Sequence, residues 1–566
     1  MNATRRQISD ECFRAADRPN GIYTLTVPTG GGKTLSSLRF ALEHARRHAL
    51  DRVIFVSPYI SIVDQNAAVA RSILEPEGTP FASVVLEHHS NVQDDPGDGE
   101  SRPDLWRRRV LAENWDAPVI FTTSVQVLES LFGSGTRSVR RLHAMARAVL
   151  IFDEVQTLPV KLVHLFNNAI NLLGSCCGST VVLCTATQPL LDRVCKTKGA
   201  ARLGHPPDLV SNPRGLFERL RRYEVFDHTD QPGFWQISQV AELALAEAQE
   251  CGSCLVIVNA KRDARDLFRI VRERSNGDAS VVHLSTGMCP AHRMEKLEEL
   301  REKLPNATGI RPVICVSTQL IEAGVDIDFA CVIRDLAGLD SIAQAAGRCN
   351  RNGARSSSGR IHIVEMPEPP AQLAEIRQGR TVARELMGRW RRANPGRPFP
   401  LDDPGWMTEY YNLSFYRRRD EMSYSVGQGQ IGRDASLLEL LGANRQAAEK
   451  NRTLSRSLLL QSFQTANNAF ALIAKTQGVV VPYEAEGREI VGQLAASFDL
   501  ESEWRLLRKA QRFTLSVYAS QFKKLENQGA AYEIRAGSGL YCLRSEFYDS
   551  AFGLREQAGA LEDLNA

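Results

Sequence analysis

At roughly 100–200 residues per domain, a chain of 566 residues holds three to five domains, which excludes a peptide hormone, a lone binding module or a bare scaffold. Hydrophobic residues make up 43% and charged residues 24%, the balance of a folded globular protein rather than a disordered or fibrous one. Lys plus Arg is 69 against 66 for Asp plus Glu, a net charge of +3, so no chain-wide electrostatic coat for DNA or a membrane exists and any nucleic-acid contact is local. The longest apolar runs, such as 148–152 and 255–258, are strand-sized and far short of the ~20 residues of a membrane span. The amino-terminal residues lack the apolar stretch of a secretory signal, and the 12 cysteines follow no framework spacing. A cytoplasmic setting is expected.

From about residue 21 to 364, short β-branched runs alternate with longer helical segments. The runs are IYTLTV, RVIFVSP, VIFTT, AVLIFDE and TVVLCTAT, then CLVIVNA, VVHLS, VICVST, CVIRDL and IHIVE. This alternation predicts two α/β units of similar size, each a parallel sheet covered by helices. A Pro-rich stretch follows with one long basic helix, QLAEIRQGRTVARELMGRWRR, and a third, mainly helical region begins near Gly405. The expected domains are 1–210, 211–368, a linker helix in 369–404, and an accessory domain in 405–566.

The first run leads into PTGGGKT and an amphipathic helix. Gly30, Gly31 and Gly32 let backbone N–H groups close around phosphates at a helix N-terminus, Lys33 supplies a point charge, and the Thr34 hydroxyl suits Mg²⁺. ATP is the expected ligand. The strict pattern has Gly at its first position, where this chain has Val27.

AVLIFDEVQTLP ends a buried-type strand in two adjacent carboxylates, Asp153 and Glu154. Asp153 is assigned to Mg²⁺ and Glu154 to activation of the attacking water. Thr185 and Thr187 follow a further apolar run, where they suit a bridge to neighbouring groups. In the second half, SIAQAAGRCNRNG carries Gln344, Arg348 and Arg351 at spacings that put them on one face of a helix. The two arginines are suited to stabilising charge in phosphoryl transfer. The run before them ends in Thr318, Gln319, Gly324 and Asp326, suited to reporting between nucleotide and a bound strand.

Taken in order, PTGGGKT, VSPYISIVDQ, FTTSVQ, DEVQ, TATQP, VNAKRDA, HLSTGM, STQLIEAGVDID and QAAGRCNR resemble a superfamily 2 helicase core, which implies two tandem RecA-like lobes. More narrowly, AENWDAPVIFTTSVQVLESLF, the DEVQ box and FQTANNAFALIAKTQGVVVPYE resemble the CRISPR-associated helicase of type I systems. That resemblance implies a motor that translocates on displaced single-stranded DNA, is recruited by the Cascade surveillance complex and works with an HD nuclease. It also implies Gln7 as an adenine contact, Asp326 near the ribose, and contacts to the DNA backbone from Ser57, Pro58, Thr122, Thr123, Asn259, Ser285 and Thr318. Many members of the family begin with the HD nuclease. Here none of the 11 histidines is followed by Asp, so the nuclease is expected outside this sequence, either on a separate chain or in another part of a longer or split gene.

A DNA-repair or RNA helicase sharing the same core is an alternative, as is an ATP-gated nucleic-acid clamp that does not translocate. His88 and His89 read as ordinary surface or strand-end residues. Cys251 and Cys254 form a CxxC without a second pair at zinc-finger spacing, and read as buried thiols. Arg107 to Arg109 beside Trp106, and Arg417 to Arg419 near Tyr416, read equally as strand-holding clusters or as solvated faces.

Overall fold

The computed structural model describes residues 2–76, 83–89, 110–307, 310–322, 325–353, 355, 357–442, 444, 461–472, 476–496 and 499–555. Trp106, Arg107 to Arg109 and Gly324 lie outside the described residues. The chain forms two compact units. One comprises 1–221 with 401–472, the other 222–400 with 473–566.

The first unit is built on a seven-stranded sheet. Its strands are β1 (Ile22–Thr26), β2 (Arg52–Ser57), β3 (Val85–His88), β4 (Val119–Thr123), β5 (Ala148–Asp153), β6 (Thr180–Thr185) and β7 (Leu203–Asp208), in the order β3-β4-β2-β5-β6-β1-β7. Every pairing is parallel. The interior strands β1, β2, β4, β5 and β6 are almost entirely buried because helices cover both faces, which is why their sequences are continuous Val, Ile and Phe rather than alternating. Helix Lys33–His48 turns Leu38, Phe40 and Ala41 inward and ends in Arg46, Arg47 and His48, cations that complement the negative end of its dipole. Residues 401–472 complete this unit's core through Met422, Tyr424, Leu437, Leu440 and Ala466.

The second unit carries a six-stranded parallel sheet of β8 (Tyr223–Asp227), β9 (Ser253–Ile257), β10 (Ser280–Leu284), β11 (Val313–Ser317), β12 (Cys331–Asp335) and β13 (Gly359–Val364), in the order β10-β11-β9-β12-β13-β8. The long basic helix runs Ala374–Ala393. Beyond residue 473 the strand Thr476–Val480 pairs with Thr514–Tyr518 and with Tyr541–Leu543 in a four-stranded sheet, packed by helices Glu484–Ala496 and Ala519–Asn527. No helix among the described residues is long and apolar enough to cross a membrane.

Candidate nucleotide and nucleic-acid site

β1 delivers the chain to the phosphate-binding loop. Gly30 (φ 77°) and Gly32 (φ 84°) occupy left-handed backbone that side chains rarely adopt. Gly31 is required for a different reason. A Cβ there would stand 2.5 Å from Cγ1 of the buried Val27 and 3.0 Å from the Pro28 carbonyl. The branched side chain at the first loop position thus lies beneath Gly31. Arg5, on helix Asn2–Ala15, donates through Nε to the Gly30 carbonyl at 2.8 Å and ties the loop to the amino-terminal helix.

Lys33 Nζ lies 2.6 Å from Glu154 Oε1 and 3.9 Å from Asp153 Oδ1. Burial works against the lysine's charge, but the two carboxylates outweigh it and hold its pKa above the ordinary value. Burial pushes Asp153 up to about 6 despite Lys33, and the neighbouring Glu154 charge pushes the same way. Glu154 sits at φ 50°, and its N–H donates to Asp153 Oδ1 at 3.1 Å. From Glu154 the polar contacts run outward. Gln156 Nε2 donates to Glu154 Oε2 at 2.6 Å, the Thr185 hydroxyl donates to Gln156 Oε1, and the Thr187 N–H donates to Thr185 Oγ1 at 2.9 Å. The Tyr411 hydroxyl reaches Thr187 Oγ1 at 3.5 Å. Gln156 and Arg5 escaped the sequence reading, and Tyr411 is visible there only as one of the aromatic residues near Arg417 to Arg419. Gln156 had a visible signal, its place two residues after Glu154 in the DEVQ box.

Thr34 follows Lys33 in the first helical turn and is half-buried. Gln7 donates to Glu11 Oε1 at 2.8 Å and accepts from Arg219 Nη1 at 2.9 Å. Ser57 and Thr123 are register partners at the carboxyl ends of β2 and β4, with Pro58 following Ser57. The Ser57 hydroxyl is buried with no hydrogen-bond partner among the described residues. Thr122 donates to the His88 carbonyl at 2.8 Å, while Thr123 caps helix Ser124–Phe132 by accepting from the Gln126 N–H at 3.3 Å. His88 closes β3 as expected. His89 directly follows the strand end, as expected, but is buried, 2.7 Å from Asp64 and 3.0 Å from Glu87, and the two carboxylates overcome burial to raise its pKa to about 9. Arg419 stacks over Tyr416 at 5.0 Å, and Arg418 pairs with Glu421 at 2.9 Å.

In the second unit Asn259, Ser285 and Thr318 follow β9, β10 and β11 at their carboxyl ends, and all three are buried. Asn259 Nδ2 donates to Asp335 Oδ2 at 2.6 Å and to the Leu336 carbonyl at 2.9 Å, and its Oδ1 accepts from Arg334 Nη1 at 2.8 Å. Arg334 in turn lies 2.8 Å from Glu322, which also accepts from Ser341 at 2.7 Å. Ser285 accepts from the Gly287 N–H at 3.2 Å and lines a cavity with Lys261, Arg262, Arg265, His283 and Thr286. Phe552 and Leu554 form part of the same wall, and the Leu554 N–H donates to the Gly287 carbonyl at 2.8 Å.

The helix expected to carry Gln344, Arg348 and Arg351 on one face runs only Leu339–Ala346. Gly347 caps it and Asn350 turns through φ 46°, so the two arginines follow the helix in a turn instead of extending it. Arg348 is buried and donates to the carbonyls of Ile321 at 3.0 Å and Glu322 at 2.7 Å. Arg351 pairs with the exposed Asp326 at 2.8 Å.

Two family models match the chain. Residues 7–194 match the DEAD/DEAH box helicase model, and residues 250–354 match the C-terminal model of the CRISPR-associated nuclease/helicase Cas3. Among curated proteins, a CRISPR-associated nuclease/helicase Cas3 from Haloferax volcanii is 26% identical, covering 58% of this chain and 45% of its own length. A CRISPR-associated endonuclease/helicase Cas3 from Escherichia coli K12 is 24% identical over 59% of this chain and 41% of that protein. The chain therefore spans less than half the length of these relatives. Among solved structures, T. fusca Cas3 with AMPPNP superposes with a TM-score of 0.67 at 15% identity, covering 96% of this chain and 70% of that one. A chain of a CRISPR RNA-guided surveillance complex in a pre-nicking state superposes at 0.57 and 15% identity, covering 95% of this chain and 68% of that one.

Proposed function

We propose that this chain, similar in its two halves to the DEAD/DEAH box helicase and Cas3 C-terminal models, is a Cas3-type superfamily 2 helicase that hydrolyses ATP to move along single-stranded DNA and unwind duplex in type I CRISPR interference. The observation that carries the reading is Lys33 held 2.6 Å from Glu154 at a glycine-rich loop opening a helix. Arriving phosphates compete for the lysine. As Nζ moves to them it releases the Glu154 carboxylate, which Gln156 keeps oriented to take a proton from the attacking water. The base is thus masked until nucleotide binds.

Thr34 and Asp153 offer the hard oxygen donors that fit Mg²⁺, which would neutralise charge on the β- and γ-phosphates. Gln7 and Asp326 are proposed to contact adenine and ribose, with Gln344, Arg348 and Arg351 assigned to the phosphates. Of the two arginines Arg351 is the more accessible. The strand-end residues Ser57, Pro58, Thr122, Thr123, Asn259, Ser285 and Thr318, with the cations of the Lys261 cavity, suit backbone contact without reading sequence. Recruitment by a Cascade complex, in keeping with the surveillance-complex neighbour, and delivery of unwound DNA to an HD nuclease complete the reading.

The test is steady-state ATP hydrolysis with Mg²⁺, alone and with single-stranded DNA, single-stranded RNA or duplex DNA of matched length. Strong stimulation by single-stranded DNA only is expected. Stimulation mainly by RNA would move the protein to RNA metabolism.

A further inference from the structure

The motor reading leaves unused a buried cluster of thiol, imidazole and carboxylate in the second unit. Glu247 of helix Ile237–Cys251, Cys331 of β12 and His362 of β13 bring a carboxylate oxygen, a sulfur and a ring nitrogen within 4.8 Å of one another. All three residues are buried, Cys331 completely and His362 to within 4%. His362 Nδ1 lies 2.9 Å from His228 Nε2. Its other nitrogen, Nε2, is buried 3.3 Å from Glu247 Oε1 and also interacts with Cys331, so both neighbours meet at one ring nitrogen.

We propose that Glu247, Cys331 and His362 form a site for a thiophilic divalent cation, with Zn²⁺ the best match to a sulfur, nitrogen and oxygen donor set. The surroundings have the features such a site needs. His228 engages the ring nitrogen that faces away from the cluster, and with that Nδ1 as the hydrogen donor Nε2 keeps its lone pair for a metal. Arg360 Nη1 donates to both Glu247 oxygens, to Oε2 at 3.2 Å and to Oε1 at 3.4 Å, and orients the carboxylate so that Oε1 also faces His362. A fourth ligand is at hand in the CxxC. Cys251 Sγ lies 3.7 Å from Glu247 Oε2, and Cys254 is the register neighbour of Cys331. The proton balance closes as well. A dication entering the cluster displaces the thiol proton of Cys331 and, where His362 is protonated, its Nε2 proton, so two positive charges replace two.

The placement makes the role structural. Cys331 is the first residue of β12, at the end of the strand opposite Asp335, whereas Asn259, Ser285 and Thr318 lie at the carboxyl ends of their strands. A bound cation would clamp helix Ile237–Cys251 to β12 and β13 at a distance from the proposed chemistry. The proposal is independent of the motor reading. An ordinary ion network, with Arg360 and His362 neutralising Glu247, is the rival account of the same residues.

The full-length chain, stripped with a chelator, would be titrated with Co²⁺ and with Zn²⁺. The expected result is one equivalent per chain, a thiolate-to-cobalt charge-transfer band bleached by Zn²⁺, and a rise in melting temperature with either metal. Cys331→Ser should abolish the band, and His362→Asn should weaken binding at least tenfold. His89→Asn, in the thiol-free cluster with Asp64 and Glu87, should leave it intact. Absence of a band in folded wild-type chain, or an unchanged band in Cys331→Ser, would overturn the site. Melting of the metal-free variants separates lost ligation from lost folding. If Cys331→Ser does not fold, Glu247→Gln and His362→Asn carry the test by bound zinc in native mass spectrometry, and full retention in both would overturn it.

Discussion

Asp153 and Asp335 occupy matching places in the two sheets, each the last residue of a strand with parallel neighbours on both sides. Burial pushes both carboxyls up to about 6. Their surroundings then diverge. Asp153 has one backbone donor, the Glu154 N–H, and a lysine 3.9 Å away that belongs to a phosphate-binding loop. Asp335 accepts from Asn259 at 2.6 Å and from the Met366 N–H at 3.1 Å, with Arg380 at 4.0 Å. The same carboxylate position faces the lysine of a glycine-rich loop in one lobe and is engaged by the core's own donors in the other. A strand-end carboxylate therefore acquires its role from what surrounds it, and these two roles should separate under mutation.

The largest separation is expected at the base beside Asp153. Glu154→Gln should lower kcat by on the order of 10²–10⁴ while nucleotide binding and melting temperature hold, measured by hydrolysis and by equilibrium binding of a labelled analogue. Retained turnover would remove Glu154 from that role. Asp335→Ala should do the reverse. Losing three partners in the core should cost about 2–4 kcal/mol in denaturant unfolding, while nucleotide affinity of the protein that remains folded is unchanged. A loss of nucleotide affinity without a loss of stability would erase the contrast between the two aspartates.

A smaller effect sharpens the comparison within the first unit. Gln156→Ala cuts the connection from Glu154 to Thr185 and should lower DNA-stimulated hydrolysis several-fold more than basal hydrolysis. Equal loss in both would make Gln156 an orienter of the base alone. The smallest effect is one of pH. His89, raised from a usual value of about 6.5 to about 9, contributes stability that is fully present below 6.5 and is lost as pH rises through 9. With Asp64 half-exposed, the contribution is about 1–2 kcal/mol. Melting curves from pH 6 to 10 should therefore fall more steeply for wild type than for His89→Asn.

The sequence patterns were clearest where burial is two-sided. Five runs in each half were visible as strands, and all ten are strands of the two sheets. Three strands escaped, β3, β7 and β8, and each is an edge strand. β7 reads LGHPPD and is half-exposed or more along its length, because an edge needs neither continuous apolar residues nor a full set of backbone donors. In the loop, Val27 departs from the usual glycine, and packing explains the exchange: the branched side chain is accommodated because Gly31 lacks a Cβ. The Gln344 helix was overextended because periodicity cannot register a stop made by Gly347 and a left-handed Asn350. The Glu247, Cys331 and His362 cluster gave no sequence signal. Its members come from a helix and two strands far apart in the chain, and only the CxxC beside them was visible.

The division of the chain between its units bears on the order in which the protein can fold as it is made. The first unit comprises 1–221 and 401–472, with all of the second sheet encoded in between. Met422, Tyr424, Leu437 and Leu440, which fill the core beside β5 and β6, leave the ribosome only after the second sheet has been synthesised. At about 5–20 residues per second, the nascent first lobe waits on the order of tens of seconds with that core surface uncovered. During synthesis this unit therefore needs shielding, and a premature stop between residues 208 and 472 leaves it unfinished even though its whole sheet has been made.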